Sequence, residues 1–286
     1  MTPPEFGSQN GRPNDRRKRM TAAIASALCE VVFNRSVNDR YRHLAVVAPP
    51  AALAAAPGQF FQLLCPGNGE GSHFLRRPMS VYRVVPDAHR IEFLYKVVGA
   101  GTKGLARLSK GDRLDVFGPL GRGFRLAPSL QHVVLLGRGV GLATLAPLAE
   151  AAAKRGIRVT ALLSAARRAH VMSVEHLRSV GAQVQVVTDE DGSADPASVE
   201  ERLRVLIERD GCGLVATCGS DRLLQLVRRM VVELSIEGQV ALEQQMACGI
   251  GMCHCCVRLF QGSEGPVARR VCHDGPVFDV RETLSW

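Results

Sequence analysis

The first half of the chain alternates short apolar runs with turn signals. Between residues 22 and 125 these runs are four to eight residues long, and Pro-Gly, Gly-Asn-Gly and Lys-Gly-Asp segments separate some of them. Short strands at this spacing are typical of a small antiparallel barrel or sandwich. The predicted strands cover residues 30–33, 41–47, 59–64, 79–85, 91–98 and 113–117.

From residue 132 onward the pattern changes to alternating strands and helices. Apolar runs at 133–136, 158–163, 184–187 and 213–217 are strand-like, whereas 143–154, 198–209 and 222–233 have helical spacing. Such alternation predicts a parallel α/β sheet. After residue 238 the chain becomes rich in glycine and cysteine, with short strands predicted at 257–260 and 277–280.

These three patterns predict an α/β plus β fold. The predicted parts are a basic tail at residues 1–21, an N-terminal antiparallel β-barrel at 22–127, a doubly wound parallel α/β domain at 128–238 and a small cysteine-rich subdomain at 239–286. With 286 residues, of which 46% are hydrophobic and 22% charged, the composition is that of a globular protein and excludes disorder for most of the chain.

Charge and hydropathy exclude two classes of partner. The net charge is +9, but residues 1–20 supply +3 of it, and the remainder is too small to indicate nucleic-acid binding. The longest uncharged stretch, residues 44–69, is interrupted by four prolines, so we expect no membrane span. No apolar signal-peptide core follows the basic tail, and we therefore expect a cytoplasmic protein.

Five of the nine cysteines fall between residues 248 and 272, and four of them form a motif. The spacing C-x4-C-x2-C-x15-C is that of plant-type [2Fe–2S] proteins. Gly249 and Gly251 let the backbone of such a loop come close to a cluster. The four predicted ligands are Cys248, Cys253, Cys256 and Cys272.

A structural zinc site with four thiolates is the alternative for these cysteines. Zinc ribbons favour two short C-x2-C pairs, and only one is present here. Rieske ligation is disfavoured because His254 and His273 directly follow cysteines. Cys255 is expected to be a bystander.

Two segments of the predicted barrel carry residues suited to a nucleotide. An arginine and a serine lie on one strand, at Arg77 and Ser80. Further on, Gly99-Ala-Gly101-Thr102 precedes a predicted helix at 103–108, whose first amides could hold a phosphate.

The α/β region carries a glycine-rich turn between a strand and a helix, the setting that a dinucleotide pyrophosphate requires. The turn reads Gly137-Arg138-Gly139-Val140-Gly141. No acidic residue ends the next strand at Ser164, and the arginines 167 and 168 leave binding of a 2′-phosphate open. Cys218-Gly219 ends a later strand, where doubly wound sheets place ligands.

In this order, the motifs resemble the ferredoxin–NADP reductase superfamily and, more narrowly, the electron-transfer subunits of the two-subunit, NAD-linked dihydroorotate dehydrogenases. The segments that carry the resemblance are PGQF at 57–60, RRPMS at 76–80, LYKVVGAGT at 94–102, FGPLGRGF at 117–124, GRGVGLATLAPLA at 137–149, TDEDGS at 188–193, ATCGS at 216–220, LEQQMACGIGMCHCCV at 242–257 and VCHDGPVFD at 271–279.

The resemblance implies three cofactors. FAD would bind the barrel through Arg77, Pro78, Met79, Ser80, Leu94, Tyr95, Lys96, Gly101 and Thr102. NAD(P) would bind through Gly137, Gly139, Gly141, Cys218 and Gly219, and the four motif cysteines would hold a [2Fe–2S] cluster. Two departures concern the NAD(P) site: Arg138 replaces a small residue in the glycine turn, and Thr144-Leu145 stands between Ala143 and Ala146-Pro147.

The implied function is electron transfer between NAD(P)H, FAD and the cluster, and onward to or from an FMN-containing catalytic subunit, most naturally dihydroorotate dehydrogenase, in a hetero-oligomer such as a heterotetramer. No catalytic acid or base is predicted, because hydride transfer to a flavin requires none. One alternative is the same module serving another oxidoreductase, for example a hydrogenase or a glutamate-synthase-like enzyme. Another is a zinc-stabilised binding module without redox function.

Overall fold

The structure is a computed structural model that describes residues 23–67 and 74–284. The predicted basic tail lies outside the described residues. The fold class predicted from the sequence is confirmed: an antiparallel sheet precedes a parallel α/β sheet, and a cysteine-rich segment follows.

Seven antiparallel strands form the N-terminal domain, in the spatial order β4-β3-β7-β1-β2-β6-β5. Two residues connect β4 to β5, yet these strands lie at opposite edges, so the sheet curls into a barrel around an apolar core. A short helix α1, Ala100–Ala106, lies between β6 and β7. The strands are β1 Ala25–Ser36, β2 Tyr41–Val47, β3 Phe60–Leu64, β4 Arg77–Ser80, β5 Arg83–Val85, β6 Arg90–Lys96 and β7 Arg113–Leu120.

One predicted strand of the barrel is wrong. Residues 79–85 are apolar enough for one strand, but they form the end of β4, a connection, and β5. Val81 and Tyr82, at the connection, are buried. Both residues are buried where the chain changes direction. The apolar pattern of β4 and β5 therefore runs on through the connection and looks like that of one strand.

The second domain is a six-stranded sheet in the order β10-β9-β8-β11-β12-β15, with five parallel strands and an antiparallel last one. Apolar clusters cover both faces. Strand order reverses between β8 and β11, which creates the crevice where doubly wound sheets bind ligands. The elements are β8 His132–Arg138, α2 Leu142–Ala153, β9 Arg158–Ala165, α3 Val174–Ser179, β10 Gln183–Thr188, α4 Pro196–Glu208, β11 Leu214–Cys218, α5 Asp221–Glu233 and β12 Glu237–Ala241.

The cysteine-rich segment packs onto this second domain. It contains a hairpin, β13 Val257–Gly262 and β14 Gly265–Arg270, a short helix α6, Val271–Asp274, and β15, Val277–Asp279, which pairs with β12. Phe260 and Cys272 belong to the same apolar cluster as residues of α4 and α5. The domain limits predicted from the sequence stay predictions. Strand β12 extends across the predicted limit between the α/β domain and the cysteine-rich subdomain at residue 238.

A buried carboxylate links the barrel to the α/β domain. The side chain of Glu92 is 1% exposed and lies 2.8 Å from both His43 and Arg90. Arg83 lies 3.5 Å from Glu92 and 3.6 Å from Glu150 on α2, so the ion pairs cross between the domains. Burial alone would raise the pKa of Glu92, but the hydrogen bond with His43 and the charges of the two arginines lower it.

Replacing Glu92 with glutamine is expected to lower the free energy of unfolding by about 3 kcal/mol at pH 7, because two arginines lose a buried counter-charge. The folded-state pKa is lowered, so the contribution is present above the ordinary carboxyl pKa of about 4.3 and is lost as the pH falls through the folded-state value. Urea unfolding at pH 7 and in acid measures both effects. Glu175→Gln, in an exposed pair with Arg178, is the control. A difference that persists unchanged in acid would contradict this account.

Candidate functional site

A cavity of about 1060 Å³ lies between the barrel and the α/β domain. This volume is at the upper end of ligand pockets in proteins. Its walls come from β4, β6, the start of α2 and the segment that follows β12. Of the residues predicted to bind FAD, all except Gly101 line it: Arg77, Pro78, Met79, Ser80, Leu94, Tyr95, Lys96 and Thr102.

Local hydrogen bonds fix the barrel side of this cavity. The Tyr95 hydroxyl donates to Asn34 across the sheet at 3.0 Å. The Thr102 hydroxyl accepts from the backbone amides of Val98 and Gly99 at 2.9 and 3.1 Å, which caps the start of α1. A Cβ at Gly101 would lie 2.9 Å from Nε of Arg77. Gly101 therefore contributes by allowing the arginine to lie against α1.

Two glycine turns meet at the crevice between β8 and β11. A Cβ at Gly141 would lie 2.5 Å from the carbonyl oxygen of Cys218, and one at Gly219 would overlap the carbonyl oxygen of Arg138. Gly219 also has a φ of +94°, which favours glycine. The structure thus brings together the two segments predicted to bind the dinucleotide, and their backbones touch because neither carries a side chain.

Thr144 connects the cavity wall to this crevice. Its hydroxyl, at the start of α2, donates to the hydroxyl of Ser80 on β4 at 2.8 Å. Burial and the nearby carboxylate of Glu243 raise the pKa of Cys218 to about 12, so its thiol is neutral at pH 7. Neutral hydroxyl and thiol groups therefore line the boundary between the two predicted nucleotide sites.

Arg138 does not project into the glycine turn. Its guanidinium donates to the Ser164 hydroxyl at 2.8 Å and to both carboxylate oxygens of Asp189 at 2.5 and 3.2 Å. Arg222 lies 3.5 Å from the same carboxylate. Sequence reasoning gave Asp189 no role beyond its place in the TDEDGS segment, because it follows β10, one strand beyond the position where an acidic residue was sought.

The motif cysteines form two pairs. The amide of Cys253 donates to Sγ of Cys248 at 3.4 Å, and the amide of Cys272 donates to Sγ of Cys256 at 3.4 Å. Within the described ranges, no three His, Cys, Asp or Glu side chains gather around one single-ion position. Cys255 belongs to neither pair; its thiol is exposed and lies 3.9 Å from the Gln245 carbonyl oxygen.

Electrostatics differ between the two pairs. Burial would raise the pKa of Cys248, but backbone amides, first that of Cys253, lower it to about 6. Burial and the adjacent Cys256 raise the pKa of Cys272 to about 12. Four cysteine thiols gathered in one segment are the donor type that a metal centre takes, because a metal deprotonates its thiol ligands.

The loop between these cysteines reaches the protein surface. Met252 is 77% exposed and Ile250 42% exposed, although both are apolar. Gly249 and Gly251 adopt φ values of +74° and +84°, as expected for a tightly turning loop.

In the part of the chain that the structure describes, no helix is long and apolar enough to span a bilayer.

Known proteins resemble both the cysteine-rich segment and the chain as a whole. Residues 243–284 match the family model of the iron-sulfur cluster binding domain of dihydroorotate dehydrogenase B. The electron transfer subunit of dihydroorotate dehydrogenase B (NAD(+)) from Desulforamulus reducens is 31% identical over 81% of this chain and 87% of its own length. Its counterpart from Geobacillus thermodenitrificans is 32% identical over 94% and 98%.

Solved structures share the fold. The NADH-dependent reduced ferredoxin-NADP oxidoreductase, studied for flavin-based electron bifurcation, is 26% identical and superposes with a TM-score of 0.75 over 90% of this chain and 89% of its own. The CS-b5R domains of human Ncb5or, at 20% identity and a TM-score of 0.60, cover 76% of this chain and 69% of their own, and show the fold alone.

Proposed function

The chain belongs to the family of dihydroorotate dehydrogenase B electron-transfer subunits, and from this premise we propose that it carries electrons between a nicotinamide dinucleotide, FAD and a [2Fe–2S] cluster. It exchanges them with a catalytic subunit that oxidises dihydroorotate. The partner is held in a hetero-oligomer, and the direction of physiological flow is from that partner toward NAD⁺.

One observation carries this proposal: the wall of the large cavity continues directly into the cysteine loop. Residues 242–246 line the cavity, and Cys248 follows after a single residue. The glycine crevice reaches the same region, since Thr144 and Val140 line the cavity as well. Three adjacent sites of different chemistry are what a chain of electron carriers requires.

In the cavity, the barrel residues bind and orient FAD. Arg77 supplies a positive charge for the phosphates, while Tyr95 and Leu94 form an apolar wall and Thr102 lines the cavity at the start of α1. When bound, FAD would exchange a hydride with the nicotinamide and single electrons with the cluster, which joins two-electron nicotinamide chemistry to a one-electron centre. Ser80 and Thr144 lie where the two predicted nucleotide sites meet and hold their position through a shared hydrogen bond.

The cysteines fit an iron–sulfur cluster in number, spacing and donor type. Cys248, Cys253, Cys256 and Cys272 would hold it, and the backbone amides that already point at their sulfurs would stabilise its negative charge. The exposed apolar side chains of Met252 and Ile250 mark the tip of this loop as the face that meets the catalytic partner.

Arg138 is expected to influence the choice of nicotinamide carrier. Its guanidinium lies beside Ser164, at the strand end where the adenine-side ribose binds in doubly wound folds. Replacing Arg138 with glycine should lower the ratio of kcat/KM for NADPH to that for NADH about tenfold, the loss expected for one charge-assisted hydrogen bond to the 2′-phosphate. Steady-state dye reduction with both carriers measures the ratio. The exposed Arg178→Ala variant should leave it unchanged; an unchanged ratio in Arg138→Gly would place the 2′-phosphate elsewhere.

The proposed function is tested by purifying the chain anaerobically with its catalytic partner. The complex should contain FAD, FMN, iron and acid-labile sulfide, and should reduce NAD⁺ when given dihydroorotate. If the complex contains these cofactors but dihydroorotate is inert, the module serves another oxidoreductase. A colourless chain with zinc in place of iron would favour the binding-module alternative.

A further inference from the structure

The side chain of one barrel glutamine is buried, and its amide is unpaired among the described residues. Gln62, on β3, is 0% exposed, and neither its Nε2 nor its Oε1 has a hydrogen-bond partner within residues 23–67 and 74–284. An amide that is removed from water and left unpaired destabilises the fold. Such a residue in an otherwise apolar strand therefore needs an explanation.

The direction of β3 places this side chain toward the cysteine loop. Phe61 and Leu63 point into the barrel core, whereas Phe60 packs in the apolar cluster that contains Cys256 and Cys272. Successive residues of a strand alternate between its faces, so Gln62 shares the outward face of Phe60. The outward face of β3 at this point is covered by the cysteine-rich segment.

The contact itself is at Gly249, the residue after Cys248. A Cβ built on Gly249 would lie 2.9 Å from both Cγ and Nε2 of Gln62. Any larger residue would displace the amide, so the glycine and the glutamine fit each other. On its other side, β3 pairs with β4, where Gln62 lies opposite Pro78 of the cavity wall. The unpaired amide therefore lies between the predicted FAD cavity and the predicted cluster loop.

We propose that the side-chain amide of Gln62 donates a hydrogen bond to a sulfur atom of the iron–sulfur centre at Cys248, and so raises its reduction potential. This inference rests on the proposed function, since it requires the cluster. Hydrogen bonds to the sulfurs stabilise the reduced form, which carries the additional negative charge. Through this direct contact, Gln62 sets the electron affinity of the iron–sulfur centre.

The test is the midpoint potential of the cluster in the full complex, followed by electron paramagnetic resonance during a redox titration. Gln62→Met keeps the length of the side chain and removes its donors. We expect the midpoint potential to become more negative, so that the ratio of reduced to oxidised cluster falls about tenfold at a given ambient potential. For a one-electron centre, a tenfold change in this ratio corresponds to about 59 mV. Gln62→Glu, which adds a negative charge, should shift it further in the same direction.

Iron, sulfide and FAD contents are measured for every variant, and Gln185→Met on the distant strand β10 is the matched control. If Gln62→Met keeps its full iron content and the midpoint potential is unchanged, the inference is overturned. The Gln62 amide then pairs with a buried water molecule instead of a sulfur. If neither variant retains iron, wild-type protein with ¹⁵N in its glutamine amides decides, because the absence of any ¹⁵N hyperfine coupling to the reduced cluster overturns it too. A wild-type complex without iron overturns the proposed function itself, which distinguishes the two failures.

Discussion

Replacing Cys272 with serine is expected to remove the cluster and stop electron exchange with the catalytic partner, while the FAD still accepts electrons from NADH. Cys272 is 1% exposed, and its backbone amide donates to Sγ of Cys256, so the residue lies inside the cysteine site. A serine hydroxyl is a poorer ligand for iron than a thiolate. Dihydroorotate-dependent NAD⁺ reduction should fall more than about 100-fold, because a lost ligand has a larger effect than a lost outer-shell partner.

The separation of the two activities is the decisive part of this prediction. The cavity residues that are predicted to bind FAD do not include Cys272, so NADH-dependent dye reduction should stay within about twofold of wild type. Iron content, FAD content and both activities are measured on the same preparation. Cys255→Ser is the matched control, since its exposed thiol belongs to neither cysteine pair and its loss should leave the iron content unchanged. Simultaneous loss of both activities in Cys272→Ser would contradict the proposed division of labour.

The candidate site was largely predictable from sequence because its parts are local motifs. The cysteine spacing and the glycine turn after β8 are short motifs that indicate a cluster and a nucleotide, whereas the residues predicted to bind FAD and NAD(P) were implied by the family resemblance that these motifs carry. Eight of the nine residues predicted to bind FAD line one cavity. Gly101 is the exception because its contribution is the space it leaves for Arg77.

Interactions between distant segments were not predictable in the same way. Asp189, just after β10, reaches Arg138, at the end of β8, across the single strand β9 that lies between them in the sheet, and no local pattern reports this arrangement. The amide of Gln62 meets Gly249 across 187 positions of sequence, on a strand that otherwise looks wholly apolar. Strand β12, at the transition to the cysteine-rich segment, was also missed. Its sequence is short and polar at alternate positions, and its place in the sheet comes from pairing with β11 and β15.

Replacing Gly219 with alanine is expected to disable the nicotinamide side of the protein alone. Gly219 adopts a φ of +94°, and an added Cβ would overlap the carbonyl oxygen of Arg138 and lie 3.1 Å from Cα of Gly141. The two turns at the crevice must then separate. A displacement of about 1 Å at a reacting centre lowers rates by about 100-fold, and we expect a loss of that size in kcat/KM for NADH.

Gly181→Ala is the control variant that has the same backbone strain without the steric clash. Gly181 has a similar φ of +85°, in the same domain, but a Cβ there meets no atom within 4 Å. Both variants carry the strain of a left-handed conformation, and only Gly219→Ala moves the crevice. Anaerobic stopped-flow mixing with NADH should show slow flavin reduction in Gly219→Ala and normal reduction in Gly181→Ala. In complex with the catalytic partner, dihydroorotate should still reduce the FAD of both variants, because its electrons reach the FAD through the cysteine site. Rapid reduction of Gly219→Ala by NADH would mean that the dinucleotide binds away from this crevice.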